Sequence, residues 1–558
     1  MQRISIILKF IIILYLFNYA HGLTEIKDLI SNPHIYNNDA RQHVVPYFFS
    51  NQVINNDYTL NYINQVMLTP GIKAVYSLAN GNYQNITFIS KVLPYIIYFF
   101  TLLFIYKSGK NIYSNNIALL CLVLAILSKD LLSVMLGGHA RAFGPFFISI
   151  GLFFLIESKI YHLGILTVIA CLFYPSAALI CGFALFTRSV IGILFLNEKV
   201  QKHILLICLV ITVCVTTLLP MIQSGSKYGT KINEELVSTY PEAGYGGRNS
   251  RTNTPPYDIL PKAFLSKNIN YLKSHISLIP NFSLIHLISK KSYIILGRIL
   301  TVLVLLIIFF HAFKKEKFFI NLSIFLISAL CLYEIAKQLE PLLYFPNRYL
   351  SLVVPIILPL TIPVMAMDLY KIAIDKLNYS FSKTSMDLFA IIIVISFTTV
   401  LGTKNNGYSH WKGIINESDN KKLYEEILKL PRSSLIAGWP TGIIDNVPYL
   451  SRKTAYLTFE THYVFHEKFI LEMRRRFNLL LKAYFSKHAE DLYYLRDIEG
   501  VTHIIIDKFH YEPSSNVKYF RPFNESIRKI KNENENNYFL SNYLKDDSRY
   551  VIIDLNDL

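Results

Sequence analysis

Apolar runs recur along this 558-residue chain and then stop. After a first run at 4–19, others lie at roughly 88–106, 114–128, 142–156, 161–175, 177–196, 203–222, 292–312, 318–336, 349–368 and 386–402. Each approaches the length that a tilted or interrupted membrane helix needs. The pattern predicts an α-helical polytopic membrane domain over 1–403 with about eleven transmembrane helices. From Lys404 onward the periodicity changes. Positions 421–428 read as a helix with Asp419 at its N-cap, and 466–497 as one or two helices. The segments 434–438, 454–459, 502–507 and 550–555 read as strands. Strands alternating with helices predict a soluble α/β domain over 404–558.

Charge fixes the expected orientation. Hydrophobic residues make up 52% of the chain and charged residues 17%, with a mean hydropathy of +0.35, a membrane-protein composition. With a cytoplasmic N-terminus, the inside loops carry Lys107 and Lys110, Lys159, Lys199 and Lys202, Lys314 with Lys315 and Lys317, and Lys371 with Lys376 and Lys383. One frame therefore satisfies the positive-inside rule. It places the loops at about 24–87, 129–141, 223–290 and 337–348, and the C-terminal domain, on the extracytoplasmic side. The net charge of +17 is spread in short clusters without zinc-knuckle spacing or a basic tail, which excludes a nucleic-acid partner in favour of membrane lipids and lipid phosphates. Ala20-His21-Gly22 loosely resembles a signal-peptidase site, but an uncleaved first helix is the preferred reading. All six cysteines (Cys121, Cys171, Cys181, Cys208, Cys214 and Cys331) fall in apolar runs, so neither a disulfide framework nor a zinc site follows from them. Asn-x-Ser/Thr triplets such as Asn85-Ile86-Thr87 are expected by chance in so asparagine-rich a chain.

The candidate chemistry lies at the outer boundary. The first loop holds Asp39, Arg41 and His43, followed by Asp57, and a carboxylate there could act as a general base or hold a divalent cation. An ordinary solvated loop with an N-capping Asp explains the same residues. The next outer turn offers Lys129 and Asp130, then Gly137-Gly138-His139-Ala140-Arg141, where glycines would let backbone approach a ligand. Snorkelling interfacial charges are the plainer account. Before the tenth span stands Arg348 among Tyr344, Phe345 and Tyr349, either a bidentate phosphate binder or a headgroup anchor in an aromatic belt. The Gly- and Tyr-rich 223–290 loop is either a substrate lid or a connector. In the soluble domain, Trp439, Asp445, Asn446 and His462 follow strand ends, where open α/β sheets bind ligands. Asp445 and Asn446 could equally cap turns, and Arg474-Arg475-Arg476 reads as a solvated helix face.

Asp39-Ala40-Arg41-Gln42-His43, Gly138-His139-Ala140-Arg141-Ala142-Phe143, Tyr344-Phe345-Pro346-Asn347-Arg348-Tyr349, Ala437-Gly438-Trp439-Pro440 and Asp445-Asn446-Val447-Pro448 together resemble segments of a bacterial branch of the GT-C class of membrane glycosyltransferases. The resemblance covers nearly the whole chain. It implies an inverting enzyme of the bacterial plasma (inner) membrane. That enzyme would move sugar from a polyprenyl-phosphate donor to an extracytoplasmic glycan, lipid or protein acceptor. Asp39 would be the base or cation ligand. Arg348 would hold the lipid phosphate, with Arg41, His43, His139 and Arg141 as further phosphate binders. Asp57 and Asp130 would be second acids, and Trp439, Asp445, Asn446 and His462 would form the acceptor site. A divalent cation, Mg or Mn, would sit on Asp39 and Asp130 if anywhere. Asp130 stands alone where oligosaccharyltransferases carry two acids, which puts metal dependence in doubt. The Trp-Trp-Asp-Tyr-Gly motif of those enzymes is absent, which argues against transfer to an asparagine sequon.

Two other classes remain open on sequence. A lipid-linked polysaccharide polymerase or ligase would use Arg248 and Arg251 of the 223–290 loop. A transporter would need mid-membrane charges and repeated halves, which the chain lacks.

Overall fold

The computed structural model describes residues 13–18, 21–49, 57–111, 115–195, 198–244, 246–248, 316–339, 346–377, 413–512, 515–534, 537–544 and 548–558, with isolated positions at 11, 306, 308, 310–312 and 314. The helical part comprises α1 (Leu23–Ser31), α2 (Asn38–Val44), α3 (Tyr83–Lys110), α4 (Asn115–Leu127), α5 (Lys129–Met135), α6 (Phe143–Ile156), α7 (Ile160–Phe173), α8 (Pro175–Phe195), α9 (Val200–Ser226), α10 (Lys317–Gln338) and α11 (Asn347–Leu377). Among the described residues, α3, α8, α9, α10 and the 347–364 part of α11 are long and apolar enough to cross a membrane. Helices thus occupy eight of the apolar runs. The run at 386–402 lies outside the described residues, and the one at 292–312 is described only at isolated positions.

Local chemistry sets the ends of these helices. Asn82 caps α3 by accepting from the Asn85 amide at 3.1 Å, and Lys107 and Lys110 sit in its last turn, where the helix dipole favours cations. Buried Leu, Ile and Phe side chains of α6, α8, α10 and α11 form one core with few polar groups inside it. The face of α9 carrying Ile204, Leu205, Leu209 and Val215 is exposed, as suits contact with acyl chains.

The C-terminal part contains α12 (Lys421–Lys429), β3 (Leu435–Gly438), α13 (Ile443–Leu450), β4 (Thr454–Ala455), α14 (Glu467–Tyr484), α15 (Glu490–Asp497), β5 (His503–Asp507), α16 (Phe523–Glu533) and β6 (Tyr550–Asp554). Its sheet runs β4-β3-β5-β6, with β3 parallel to β4 and β5 and with β6 antiparallel to β5. Every residue of β5 is buried, as a central strand covered on both faces must be. The expected α/β architecture is present. Asp419, expected as an N-cap, instead lies inside the 3₁₀ turn Ser418–Asn420 that precedes α12.

A second, smaller sheet was not anticipated. Strand β1 (Ile35–Asn37), in the first loop, pairs antiparallel with β2 (Ile414–Asn416), at the start of the C-terminal part. Two segments almost four hundred positions apart are thereby fastened beside α2.

The front of the 223–290 loop is likewise bound to the C-terminal part. The Ile232 amide donates to the Phe465 carbonyl at 2.9 Å. Glu242 is fully buried and accepts two hydrogen bonds from Arg474, at 2.5 and 2.8 Å. Arg475 and Arg476 pair with Glu472, so the arginine run is ion-paired throughout. The stretch 249–290 lies outside the described residues.

Candidate active site

Helix α2 is seven residues long, and its two faces do different things. Asn37 begins it: its side chain accepts from the Asp39 amide at 3.0 Å, and Asp39 sits in the first turn, where the dipole favours an anion. Pro46, inside the 3₁₀ turn Val45–Tyr47 that follows, stops the α-helix. Positions 39 and 43 are one turn apart and face the membrane helices. Positions 38, 41, 42 and 45 share the opposite face, against the C-terminal part.

On the first face, the Asp39 carboxylate lies 2.5 Å from Arg141 Nη2 and 3.5 Å from His139 Nε2. The His43 and His139 rings stack, with centroids 5.1 Å apart and planes within 8°. Arg348, at the start of α11, adds its charge to Asp39 and both imidazoles. Three chain segments therefore meet at Asp39. The turn carrying His139 and Arg141 is held by Gly137 and Gly138, at φ +94° and +63°. A Cβ on Gly137 would meet Asn37 Oδ1 at 2.6 Å, and one on Gly138 would meet Tyr76 Oη at 2.8 Å. These glycines seat the turn against protein, not against a ligand as the sequence had implied.

Burial and charge set the protonation states. Burial opposes ionisation of Asp39, but His139, Arg141, His43 and Arg348 outweigh it and hold the carboxyl well below the usual carboxylate range. Burial drives His43 down to about 4 against the pull of Asp39, and lowers His139 well below the usual imidazole range. Both rings are neutral at neutral pH. The constant charges acting on Asp39 are then Arg141, in direct contact, and Arg348, through its field. Arg141 Nε and His139 Nδ1 are buried without a hydrogen-bond partner among the described residues. Orphaned polar groups of this kind cost free energy unless a ligand or water meets them.

The other face corrects several expectations. Arg41, expected to bind phosphate, is 8% exposed; it pairs with Asp445 at 3.1 Å and Glu460 at 3.5 Å and donates to Asn38 and Asn446. It has no charge left over for a substrate. Asp445 and Asn446, expected to bind acceptor, are buried in this junction. Burial, eased by Arg41 and reinforced by Glu460, raises the Asp445 carboxyl to about 6. Trp439 is a core residue packed among Phe477, Tyr484 and Phe485, filling the end of the sheet where a ligand crevice would lie. His462 is fully buried against Tyr519 and Phe520, and burial lowers its imidazole to about 3. Asp57 caps the helix Tyr58–Tyr62, its carboxylate accepting from the Leu60 amide at 2.8 Å. It borders a cavity of about 30 Å3 beside Arg41, Asp445 and Glu460, room for water and not for a sugar. Arg248 pairs with Glu460 at 2.8 Å and stacks 3.9 Å over Phe459, so it is not a free carrier for polymerase chemistry. Arg251 lies outside the described residues.

For a divalent cation the fit is poor. Among the described side chains Asp39 is the one carboxylate of the cluster and is already paired with a guanidinium, whereas hard cations take six or more oxygen ligands. Among the described residues no three His, Cys, Asp or Glu side chains form a metal-holding group. Asp130 lies on α5, and its side chain is outside the described ones.

No family model and no curated protein matches the chain. It is similar to solved structures. One is the crystal structure of the Archaeoglobus fulgidus oligosaccharyltransferase in complex with Zn and sulfate, with a TM-score of 0.48, 10% identity, and 90% of this chain and 68% of that chain covered. The apo form of the same enzyme gives 0.47 at 10% identity, covering 90% and 70%. The archaeal oligosaccharyltransferase AglB in complex with an inhibitory peptide and a dolichol-phosphate gives 0.41 at 10% identity, covering 79% and 61%.

Glu460 carried no site role in the sequence reading, which noted it only within Glu460-Thr461-His462 after a strand. It stood in a polar strand-end segment already noticed, but no spacing connects it with α2, over four hundred positions earlier.

Proposed function

We propose that this chain is a GT-C-type membrane glycosyltransferase. It takes a sugar from a polyprenyl-phosphate donor and passes it, with inversion, to an acceptor outside the plasma membrane. The observation that carries this reading is the pair of orphaned groups, Arg141 Nε and His139 Nδ1, beside an ionised Asp39 and within the field of Arg348. A phosphate oxygen would satisfy the guanidinium of Arg141 through its unmet Nε–H.

In the reaction, the acceptor hydroxyl or amine attacks the anomeric carbon from the face opposite the phosphate. The carbon–oxygen bond to the phosphate breaks, and the lipid phosphate leaves with the electron pair. Arg348 and Arg141 neutralise the charge that develops on it, the electrostatic contribution that dominates many transferases. Asp39 receives the acceptor's proton. A carboxylate held this acidic is a weak base, so the proton moves late, once bond formation has made the hydroxyl acidic. Arg141 spans both tasks, with Nη2 on Asp39 and Nε directed to the phosphate. The apolar faces of the neighbouring helices would lie along the lipid tail.

Any cation belongs to this proposal only if Asp130 supplies a second carboxylate to Asp39; it would then add charge neutralisation at the leaving phosphate. The test is donor handling by an Arg348→Gln variant. Membranes carrying it should retain lipid-linked sugar that wild-type membranes consume. Equal consumption at equal protein level would remove Arg348 from the donor site.

A further inference from the structure

The groups that surround Glu460 come from three parts of the chain, and three of its four donors belong to α2 itself. Asn38 Nδ2 donates at 2.9 Å, Arg41 Nη2 lies at 3.5 Å, and Gln42 Nε2 donates to the second oxygen. Arg248 Nη2, from the long outer loop, completes the set at 2.8 Å. Around this centre, the Asp445 carboxylate accepts from the Glu460 amide at 3.0 Å, Tyr463 donates to Gln42 at 3.0 Å, and Asn446 donates to Tyr424 at 3.0 Å. The Glu460 side chain is only 11% exposed.

We infer that Glu460 is a positioning residue for Asp39: by gripping one face of α2 it fixes the azimuth at which the other face presents Asp39 to Arg141 and His139. This rests on the glycosyltransferase reading. A seven-residue helix is too short to hold itself in water. Asn37 caps one end, Pro46 closes the other, and the rotation of the helix about its axis is left to side-chain contacts. Asn38, Arg41 and Gln42 flank Asp39 in sequence and share one acceptor. Losing that acceptor lets α2 turn, and a shift near 1 Å at a reacting group is enough to cost on the order of 10²-fold in rate.

Glu460 also joins α2 to Arg248. The outer loop and the C-terminal part therefore report to Asp39 through one carboxylate.

Substitution by glutamine keeps the shape and removes the charge. One of its termini becomes an NH2 group facing donors from Gln42 or Arg248, so the grip fails without a cavity. Three readouts on full-length protein in detergent or membranes test the inference. The first is sugar transfer from the lipid-linked pool. The second is the pH of half-maximal transfer on the acid side. The third is thermal stabilisation by added polyprenyl phosphate, compared among wild type, Glu460→Gln and Asp39→Asn. The expected result for Glu460→Gln is a fall of about tenfold or more in transfer at matched folded protein. Its acid limb should move to higher pH as Arg141 loses its hold on Asp39, with polyprenyl-phosphate stabilisation within about twofold of wild type because Arg348 and Arg141 are not on α2.

If Asp39→Asn is inactive while Glu460→Gln matches wild type in rate and acid limb, the inference is overturned and the functional reading stands. A loss that tracks the amount of folded protein, with the limb unmoved, also overturns it. If Asp39→Asn transfers as wild type does, the reading itself fails. Should Glu460→Gln not accumulate, Gln42→Met removes one neutral donor and leaves the Arg41–Asp445 pair intact. It must move the limb in the same direction, and an unmoved limb again overturns the inference.

Discussion

Arg141 Nη2 sits 2.5 Å from Asp39 Oδ2, joining α2 to the turn that carries His139 and Arg141 through a charge-assisted bond. Arg141→Gln should cost about 10²-fold or more in transfer, since it removes both the partner of the base and a donor to the leaving phosphate. It should also let the Asp39 carboxyl rise toward its ordinary range. A Lys substitution keeps the charge without the fork and should recover only part of the loss. Initial rates with membranes at matched protein level decide this.

The pH profile should lack a break near 6.5, where a free imidazole titrates. Asp39 has a lowered folded value, so it stays ionised above the ordinary carboxylate range and loses its charge only as pH falls well below it. His43 stays neutral down to about 4, and burial keeps His139 neutral well below the usual imidazole range. The acid limb of transfer should therefore lie below pH 5, roughly. A limb centred near 6.5 would assign the proton to a histidine.

Arg41 should behave as a structural residue. Arg41→Met leaves the buried Asp445 carboxyl without its ion-pair partner, while Glu460 keeps Arg248, a loss of about 3–5 kcal/mol for pairs of this kind. Thermal unfolding of the purified protein should register it. Stabilisation by polyprenyl phosphate, expressed per folded molecule, should stay at the wild-type value.

Asp445 has a separate signature. Its folded value is raised to about 6, above that of an unfolded aspartate, so its neutral form is favoured by folding. That contribution is fully present below the unfolded value and is lost as pH rises from about 4 through 6. Asp445→Asn should flatten this part of the curve of unfolding temperature against pH, and an unchanged slope would assign it to another group.

Chelation tests the donor set. With one carboxylate already paired to Arg141, transfer should survive treatment with a chelator and not rise with added Mg or Mn. A chelator-sensitive rate restored by one metal would place a cation on Asp39, with Asp130 as the first candidate for its second ligand.

Much of the fold was legible because its signals are local. Apolar runs and loop lysines depend only on nearby residues, and eight runs became helices, seven of them within about five residues of the expected ends, while α11 continues nine residues past 368. Asp39, His43, His139, Arg141 and Arg348 were legible as polar groups at one boundary of the membrane, and the structure brings them together. Arg41 was misread because its neighbours in sequence resemble a site, while its partners, Asp445 and Glu460, lie about four hundred positions away. Trp439 and His462 were misread for a related reason. The ends of β3 and β4 are open in a bare α/β sheet, but here α14 and the segment at 519–523 fill them with aromatic rings. The pairing of β1 with β2 had no signal, since three residues are too few to show a period.

The central claim is that Asp39 is the ionised group through which sugar transfer proceeds. Membranes from a deletion strain complemented with wild type or with Asp39→Asn should be compared for lipid-linked sugar and for surface glycan at matched protein levels. The amide keeps the shape of the side chain and removes its charge. The account predicts that transfer falls by about 10²–10⁴-fold while lipid-linked donor accumulates. Wild-type glycan and an unchanged donor pool in the Asp39→Asn strain would contradict it.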